Sequence, residues 1–404
     1  MPIATGLNKQ VAYKAETTWG TLAGATGGKL LRRVTANFNL EKETYESNEL
    51  RTDFQSADMR HGVRSATGSL SGELSPGSYA DLFAAALARD FTNVTNITGL
   101  TYTIAASGNY WSFTRSTGSF LTDGVKVGYV VRITAAGGNA NNTNKNLLVL
   151  AVTALALTVV PLNGTTLVPE SAIASATLNI PGKATYAPQT GHTDKSFTVE
   201  EWYSDIAQSE VYTGLKVNSV GLSMPATGLV TADFAFMGKD LTSTGTAQYF
   251  TSPTAQGTSG VFAAVNGIVA VNGAPVALLT GINLNINRNI QAAQVVGSNS
   301  IADLFEGRIL VDGDFSAYFQ DAVMRDAFNS ESEISLVLAL TTGSTANSDF
   351  LAITLPRIKV NSFTKDDGEQ GVTAQCSFQA LLNVNGGAGT SSEKTTILMQ
   401  DSLA

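Results

Sequence analysis

Two histidines, His61 and His192, and a single cysteine, Cys376, are the side chains of this 404-residue chain best suited to nucleophilic or metal chemistry. Such chemistry needs them gathered, as a base beside a nucleophile or as three or four ligands at fixed spacing. The histidines stand far apart. His61 lies between Arg60 and Gly62, His192 in a Gly-Thr-Asp linker, and no G-x-S-x-G elbow occurs. One cysteine excludes an internal disulfide framework and a Cys-based zinc site, and the alternating run Val372–Phe378 reads Cys376 as an inert strand thiol. GATGG at Gly24–Gly28 lacks the preceding strand and following helix of a phosphate cradle and reads as a flexible arm. Asp366-Asp367-Gly368 begins like a calcium loop, but the later acids are missing, so a turn is expected. No spacing marks the paired carboxylates of a glycosidase. The expectation is a protein without catalytic residues, metal or cofactor.

One stretch is dense in charge. Between two predicted strands, Glu41–Arg60 carries Glu41, Glu43, Tyr45, Glu46, Glu49, Arg51, Asp53, Asp58 and Arg60. A long, mixed-charge loop held by strands suits an interaction surface, and these nine are the candidate contact residues. The rest of the chain is poor in charge, at 14%, against roughly 25% in ordinary soluble proteins. With 38 glycines and 43% hydrophobic residues it is neither a coiled coil nor disordered, and its short alternating segments predict a mainly β protein. Net charge is −8, and no basic run exceeds Arg32-Arg33. A protein that grips nucleic acid needs a basic face, so gripping is excluded while close passage of DNA is not. The most apolar stretch, Leu147–Leu162, is too short to span a bilayer and reads as a hairpin turning at Thr153-Ala154. Met1–Lys14 has no apolar export core.

The elements that must position the loop occur twice. Lys216-Val217-Asn218-Ser219 returns as Lys359-Val360-Asn361-Ser362, with Gly228 and Gly371 in step. Upstream, Gly62, Gly68, Ser71, Asp81 and Phe83 match Gly307, Gly313, Ser316, Asp326 and Phe328, and Leu30-Leu31, Asn37 and Asn39 match Leu278-Leu279, Asn285 and Asn287. The two spacings differ by about 102 residues, so the first copy carries a domain-sized insertion. The predicted organisation is an N-terminal arm (1–29), copy one (30–90 plus 191–242) and an inserted Ig-like or barrel β domain (91–190). A connector (243–275), copy two (276–386) and a C-terminal arm (387–404) follow. Each copy reads as strand, long polar segment, strand, helix and three closing strands. In copy one Ser75 caps the helix, Pro76 opens it, and Tyr79, Leu82, Phe83, Ala86 and Leu87 form one apolar stripe. In copy two Phe319, Val323 and Ala327 serve the same purpose. The fold class is thus two β-sandwich units, each with one flanking helix, plus the inserted β domain.

TTWGT at Thr17–Thr21, LLRR at Leu30–Arg33 and the segment from Thr44 to Leu87 resemble the tail tube proteins of long-tailed bacteriophages, most specifically over residues 17–90 and more loosely over 195–386. The resemblance implies a β-sandwich with a flanking helix and a long loop, no catalytic residues, and self-assembly into stacked rings around a DNA channel in the virion tail. Implied partners are other copies of the chain, a tape measure protein, tail terminator and baseplate proteins, and double-stranded DNA passing without specific binding. No membrane is involved, and assembly is expected in the host cytoplasm. Two copies per chain predict trimeric, pseudo-sixfold rings. The acidic balance predicts a lumen dominated by Asp and Glu. The charged loop, its counterpart Gln291–Phe305 and the two arms are expected between rings, and the inserted domain outside the tube. The alternative reading is a multi-domain Ig-like adhesin or a capsid decoration protein.

Overall fold

In Ala232-Asp233-Phe234-Ala235-Phe236 the even-numbered side chains are buried and Asp233 is exposed, the period of a strand with one wet face. The computed structural model, which describes residues 3–276, 278–320, 323–366, 369 and 371–404, builds most of the chain from such strands. Six belong to the first half: β1 (Lys9–Ala15), β2 (Thr35–Glu46), β3 (Met59–Glu73), β4 (Phe197–Tyr203), β5 (Gln208–Pro225) and β6 (Thr231–Gly238). Six belong to the second: β7 (Gly267–Val271), β8 (Leu279–Asn287), β9 (Leu310–Tyr318), β10 (Ile334–Thr341), β11 (Phe350–Lys365) and β12 (Thr373–Ala380). All pair antiparallel. The order β1-β4-β5-β6-β3-β2 recurs as β7-β10-β11-β12-β9-β8.

The long strands β5 and β11 each serve two layers. Their first residues pair with β4 or β10, and from Lys216 or Ile358 onward, through a bulge at Asn218 or Asn361, they pair with β6 or β12. The layers face each other across a core that includes Phe38, Tyr212 and Phe236 in the first half and Phe315, Phe378 and Leu338 in the second. The repeated glycines Gly68 and Gly313 have a packing reason. A Cβ at Gly68 would lie 2.2 Å from the Phe38 ring, and one at Gly313 would lie 2.7 Å from the Phe378 ring.

Helix α1 (Ala80–Ala86) buries Tyr79, Leu82, Phe83, Ala86 and Leu87 against the first sheet, with Tyr79 and Phe83 5.3 and 5.5 Å from the Phe234 ring. Its N-cap is Tyr79. Ser75 and Pro76 precede it in a turn where Ser75 Oγ bonds Ser78 Oγ at 2.7 Å, so the predicted cap sits one turn too early. Helix α2 (Val323–Asn329) buries Ala327, while Phe319 lies before the helix and packs on Phe363. The Val323 side chain, expected on the same stripe, lies outside the described residues.

Six strands between Ile97 and Asn179 close a barrel rather than an Ig-like sandwich. Its core holds Tyr102, Phe113 and Phe120, and the Leu147–Val152 and Ala156–Pro161 strands form the hairpin expected at Thr153-Ala154. Val130, Leu148, Leu150 and Leu162 dock the barrel on Val337, Ala339, Phe350 and Ala352 of the second half. No described helix is long and apolar enough to cross a membrane.

Three segments expected to be arms or connector are strands. β1 lies in the supposed N-terminal arm and buries Val11, Ala12 and Tyr13 against β4. β7 lies in the supposed connector and holds the same place against β10. β13 (Leu398–Asp401) lies in the supposed C-terminal arm. It pairs with β11 on one side and with the Lys183–Tyr186 strand on the other, because Ile397, Leu398 and Met399 are buried.

Candidate functional site

β2, β3, β6 and β5 continue through β8 into β9, β12 and β11, because β5 pairs antiparallel with β8. The eight strands form one surface with two unlike faces. On the inner face one register row reads Ala36, Leu70, Phe234, Val220, Ile286, Val311, Ala380 and Ile358, apolar from edge to edge. The adjacent row points the other way and reads Thr35, Ser71, Asp233, Gly221, Asn285, Asp312, Gln379 and Lys359. The next row on that open face reads Glu73, Thr231, Ser223, Asn283, Asp314, Ser377 and Ser362. The open rows carry four carboxylates against one lysine and hold no arginine. Ser223 Oγ donates to Asn283 Oδ1 at 2.9 Å and Asn283 Nδ2 donates to Asp314 Oδ2 at 3.1 Å, so short polar side chains tie the two halves into one smooth surface.

This eight-strand surface ends in two edges. Among the described residues no strand pairs with the outer side of β11 beyond Ile358, nor with the outer side of β2. The β2 edge is capped by side chains. Lys9 Nζ donates to the Ala36 carbonyl at 2.8 Å, the Phe38 amide donates to Glu201 Oε1 at 3.1 Å, and Lys9 and Glu201 pair at 2.6 Å. Burial raises the Glu201 carboxyl above its ordinary range, against the hydrogen bond from Lys9. In the second half the corresponding register positions hold Gly267 and Leu338, and the corresponding edge, β8, is already paired with β5.

The candidate contact residues spread over one long hairpin. Glu41, Glu43, Tyr45, Glu46 and Arg60 are on β2 and β3, which stay paired out to Glu46 and Met59, so the loop proper is 47–58 with Glu49, Arg51, Asp53 and Asp58. All nine are exposed. Tyr45 Oη donates to Glu43 Oε2 at 2.6 Å, and that bond holds the Glu43 carboxyl low. Arg51–Asp53 and Arg60–Asp58 are local 2.7 Å pairs, and the Arg51 bond lowers the Asp53 carboxyl. Both arginines are thus paired locally, and beside the remaining exposed carboxylates the tip offers apolar side chains outward: Leu50 and Phe54 are almost fully exposed and Met59 half so. Sequence reasoning missed these three, although an apolar residue inside a charged loop is itself the signal. The counterpart hairpin pairs Gln291–Ala293 with Asp303–Phe305 and exposes Val296. It leans on the first hairpin, where the Arg64 amide donates to the Asn299 carbonyl at 2.9 Å and Gln294 Nε2 donates to Glu43 Oε1 at 2.9 Å.

The residues that could have done chemistry are not gathered. His61 is exposed on β3 opposite Thr44, and His192 is exposed in a loop. Cys376 is buried in the second sheet, and burial pushes its thiol up to about 11. Asp366 donates its backbone amide to the Thr373 carbonyl, while Asp367 and Gly368 lie outside the described residues. Among the described residues no group of three or more His, Cys, Asp or Glu could hold a metal ion. The buried charges are structural. Lys216 meets Asp194 at 2.6 Å and Glu306 at 3.4 Å, and Arg288 also pairs with Glu306, where the halves join.

The sequence model of the family described as phage tail tube protein matches residues 6–380. No curated protein matches the chain.

Proposed function

Because the chain belongs to the phage tail tube protein family, a family of structural virion-tail proteins, we propose that three copies close into a ring, that rings stack into a tube, and that DNA leaves the particle through its bore. The observation that carries this reading is the eight-strand surface with an apolar inner face, an open face of Ser, Thr, Asn, Gln and Asp, and two edges to pair. A sheet with free edges closes into a barrel when each edge meets its complement, and a rotation that divides the circle leaves no edge over. Three such surfaces, at about 4.8 Å per strand, give a bore roughly 37 Å across between backbones before strand tilt widens it.

The open face is the wall of that bore. Four carboxylates and one lysine repel phosphates weakly and evenly, and without arginine no side chain grips the backbone. The two halves supply quasi-equivalent units, as their common strand order supports. The barrel, docked on the far layer of the second half through Val337 and Ala339, decorates the outside. The nine hairpin residues, with Leu50 and Phe54 at the tip, contact the next ring. Other copies, a tape measure protein and terminator or baseplate proteins are the partners, and assembly takes place in the host cytoplasm before the tube joins the virion.

Native mass spectrometry and electron microscopy of the concentrated chain test this directly. Trimers with a pseudo-sixfold wall and stacked rings are expected. Rings of six chains would refute the stoichiometry, and a monomer at every concentration would refute the assembly.

A further inference from the structure

The repeated KVNS motif has a use that strand formation does not require. Asn218 sits at the bulge of β5, where the pairing with β6 slips between Val217 and Ser219. Its carbonyl accepts the Arg288 amide at 2.8 Å and its Oδ1 accepts the Ile290 amide at 3.0 Å. One asparagine thus holds two backbone donors of the strand beside it, where β8 runs on past Asn287. Asn361 occupies the same bulge on β11, between Val360 and Ser362. It is exposed, and its side chain makes no hydrogen bond among the described residues. Among the described residues of its own half no contact calls for an asparagine there.

We propose that Asn361 is the clasp between chains: it holds β2 of a second copy as Asn218 holds β8, and it fixes the register of the junction. The proposal rests on the ring reading above and adds to it which strands meet and how. The internal junction supplies the template. Ser219, Gly221 and Ser223 face Asn287, Asn285 and Asn283 across β5 and β8. Carried over by the two sequence matches, Ser362 faces Asn39 of the second copy and Thr364 faces its Asn37. Arg288 and Ile290 become Leu40 and Lys42, whose amides reach the Asn361 carbonyl and Oδ1. The parity agrees. On β2 the amide of Phe38 and the carbonyl of Ala36 point away from β3, since they meet Glu201 and Lys9, so even-numbered residues face the incoming strand. β11 takes over both groups as it pairs, displacing the Lys9–Glu201 cap. The occupant is a second copy, because β2 and β11 lie at opposite ends of one chain's eight-strand surface and cannot meet within it.

The test is a cysteine pair at the junction. Asn37 and Thr364 fall at a position without cross-strand hydrogen bonds, where Cα atoms approach to about 4.5 Å and a disulfide fits. The N37C/T364C chain, oxidised mildly at assembling concentration, should give linked dimers and trimers on a non-reducing gel. It should do so about tenfold more than the off-register N37C/K359C chain, which stands more than one residue pair out of line. Asn361→Ala should raise the concentration at which rings form by about three- to tenfold, the loss of one buried hydrogen bond per junction, with no change in the melting of the free chain. Ring formation by the wild type together with better linking of the N37C/K359C chain than of the N37C/T364C chain, or an Asn361→Ala chain that assembles at the wild-type concentration, would overturn the clasp alone. A wild-type chain that never leaves the monomer would overturn the ring and the clasp together.

Discussion

If the open face is a bore that DNA must slide along, reversing its charge should turn a repelling wall into a binding one. Asp233 and Asp312 share a register row three strand steps apart, about 14 Å, and Asp314 lies on the next row. That separation is within the roughly 30 Å Debye length of 0.01 M salt and beyond the roughly 8 Å of physiological salt, so the three act together at low ionic strength. Replacing all three by Lys exchanges negative for positive charge at exposed Asp233 and Asp312 and at half-buried Asp314, where the bond from Asn283 is lost, so stability should fall by no more than about 1 kcal/mol. If each lysine neutralises one phosphate, log affinity for duplex DNA should fall with log salt at a slope of about −2.7, or some 500-fold for a tenfold rise in salt. Fluorescence anisotropy of a short labelled duplex, titrated with the triple variant at several salt concentrations, measures that slope. The wild-type chain should not bind at any of them. A chain with Lys at Thr103, Ala105 and Ala174, all exposed on the barrel, controls for the three added lysines and should bind less tightly. Equal binding by that control, or steep salt-dependent binding by the wild type, would refute the assignment of the wall.

Deleting residues 1–20 removes β1 with buried Val11, Ala12 and Tyr13, each worth roughly 1.5–3 kcal/mol if large and fully buried, so the truncated chain should melt far lower instead of merely forming short tubes; an unchanged melt would contradict the pairing. Leu50→Ser together with Phe54→Ser should leave melting unaltered and shorten tubes seen by electron microscopy, and full-length tubes would remove the tip from the stacking contact. Lys9→Gly with Glu201→Leu installs the residues of the second half and should lower the concentration at which rings or irregular aggregates appear by light scattering, an effect absent if the pair does not cap the edge. Burial pushes the Asp401 carboxyl up to about 6, against amide bonds from Gly77 and Leu403 and with the Asp349 charge adding to it. The folded chain therefore holds that proton more tightly than the unfolded chain. Its cost, up to about 3 kcal/mol, is fully present above pH 6 and fades as pH falls toward 4, so wild-type melting should rise relative to Asp401→Asn over that window.

Much of this was legible in the residues. In the sequence KVNS and the paired glycines read only as marks of a repeat; the structure places them at the two bulges and the two tight aromatic contacts, local demands that only a few residues meet. The stripe from Tyr79 to Leu87 located α1. The wet face of each strand was not legible, since Thr35-Ala36-Asn37-Phe38 alternates equally well either way up until a second layer covers one side. β1, β7 and β13 were missed because each is short and takes its partner from far along the chain: Val11 meets Glu201, and Leu398 meets both Tyr186 and Thr354. Leu50 and Phe54 were passed over because the surrounding charge dominated the reading of their loop.

The two halves differ most where their neighbours differ. The edge of β8 meets β5 as the chain folds, so it is never left open, and the positions that face it from the second layer hold Gly267 and Leu338. The edge of β2 has no strand partner among the described residues, and in the proposed ring another molecule supplies it. A bare edge in a soluble chain is a template for any passing strand, and a buried Lys–Glu pair on its amide and carbonyl removes that template at a cost the correct partner must overcome. Joining two units in one chain makes this affordable. In a ring of three chains half of the unit-to-unit junctions form on folding, and only the other half give up translational freedom to form. Each associative junction can then be weaker, and its capped edge more selective, than in a ring built from single units. Asn361 and the Lys9–Glu201 pair would be the two sides of the proposed arrangement: one to recognise the right strand, the other to turn away the rest.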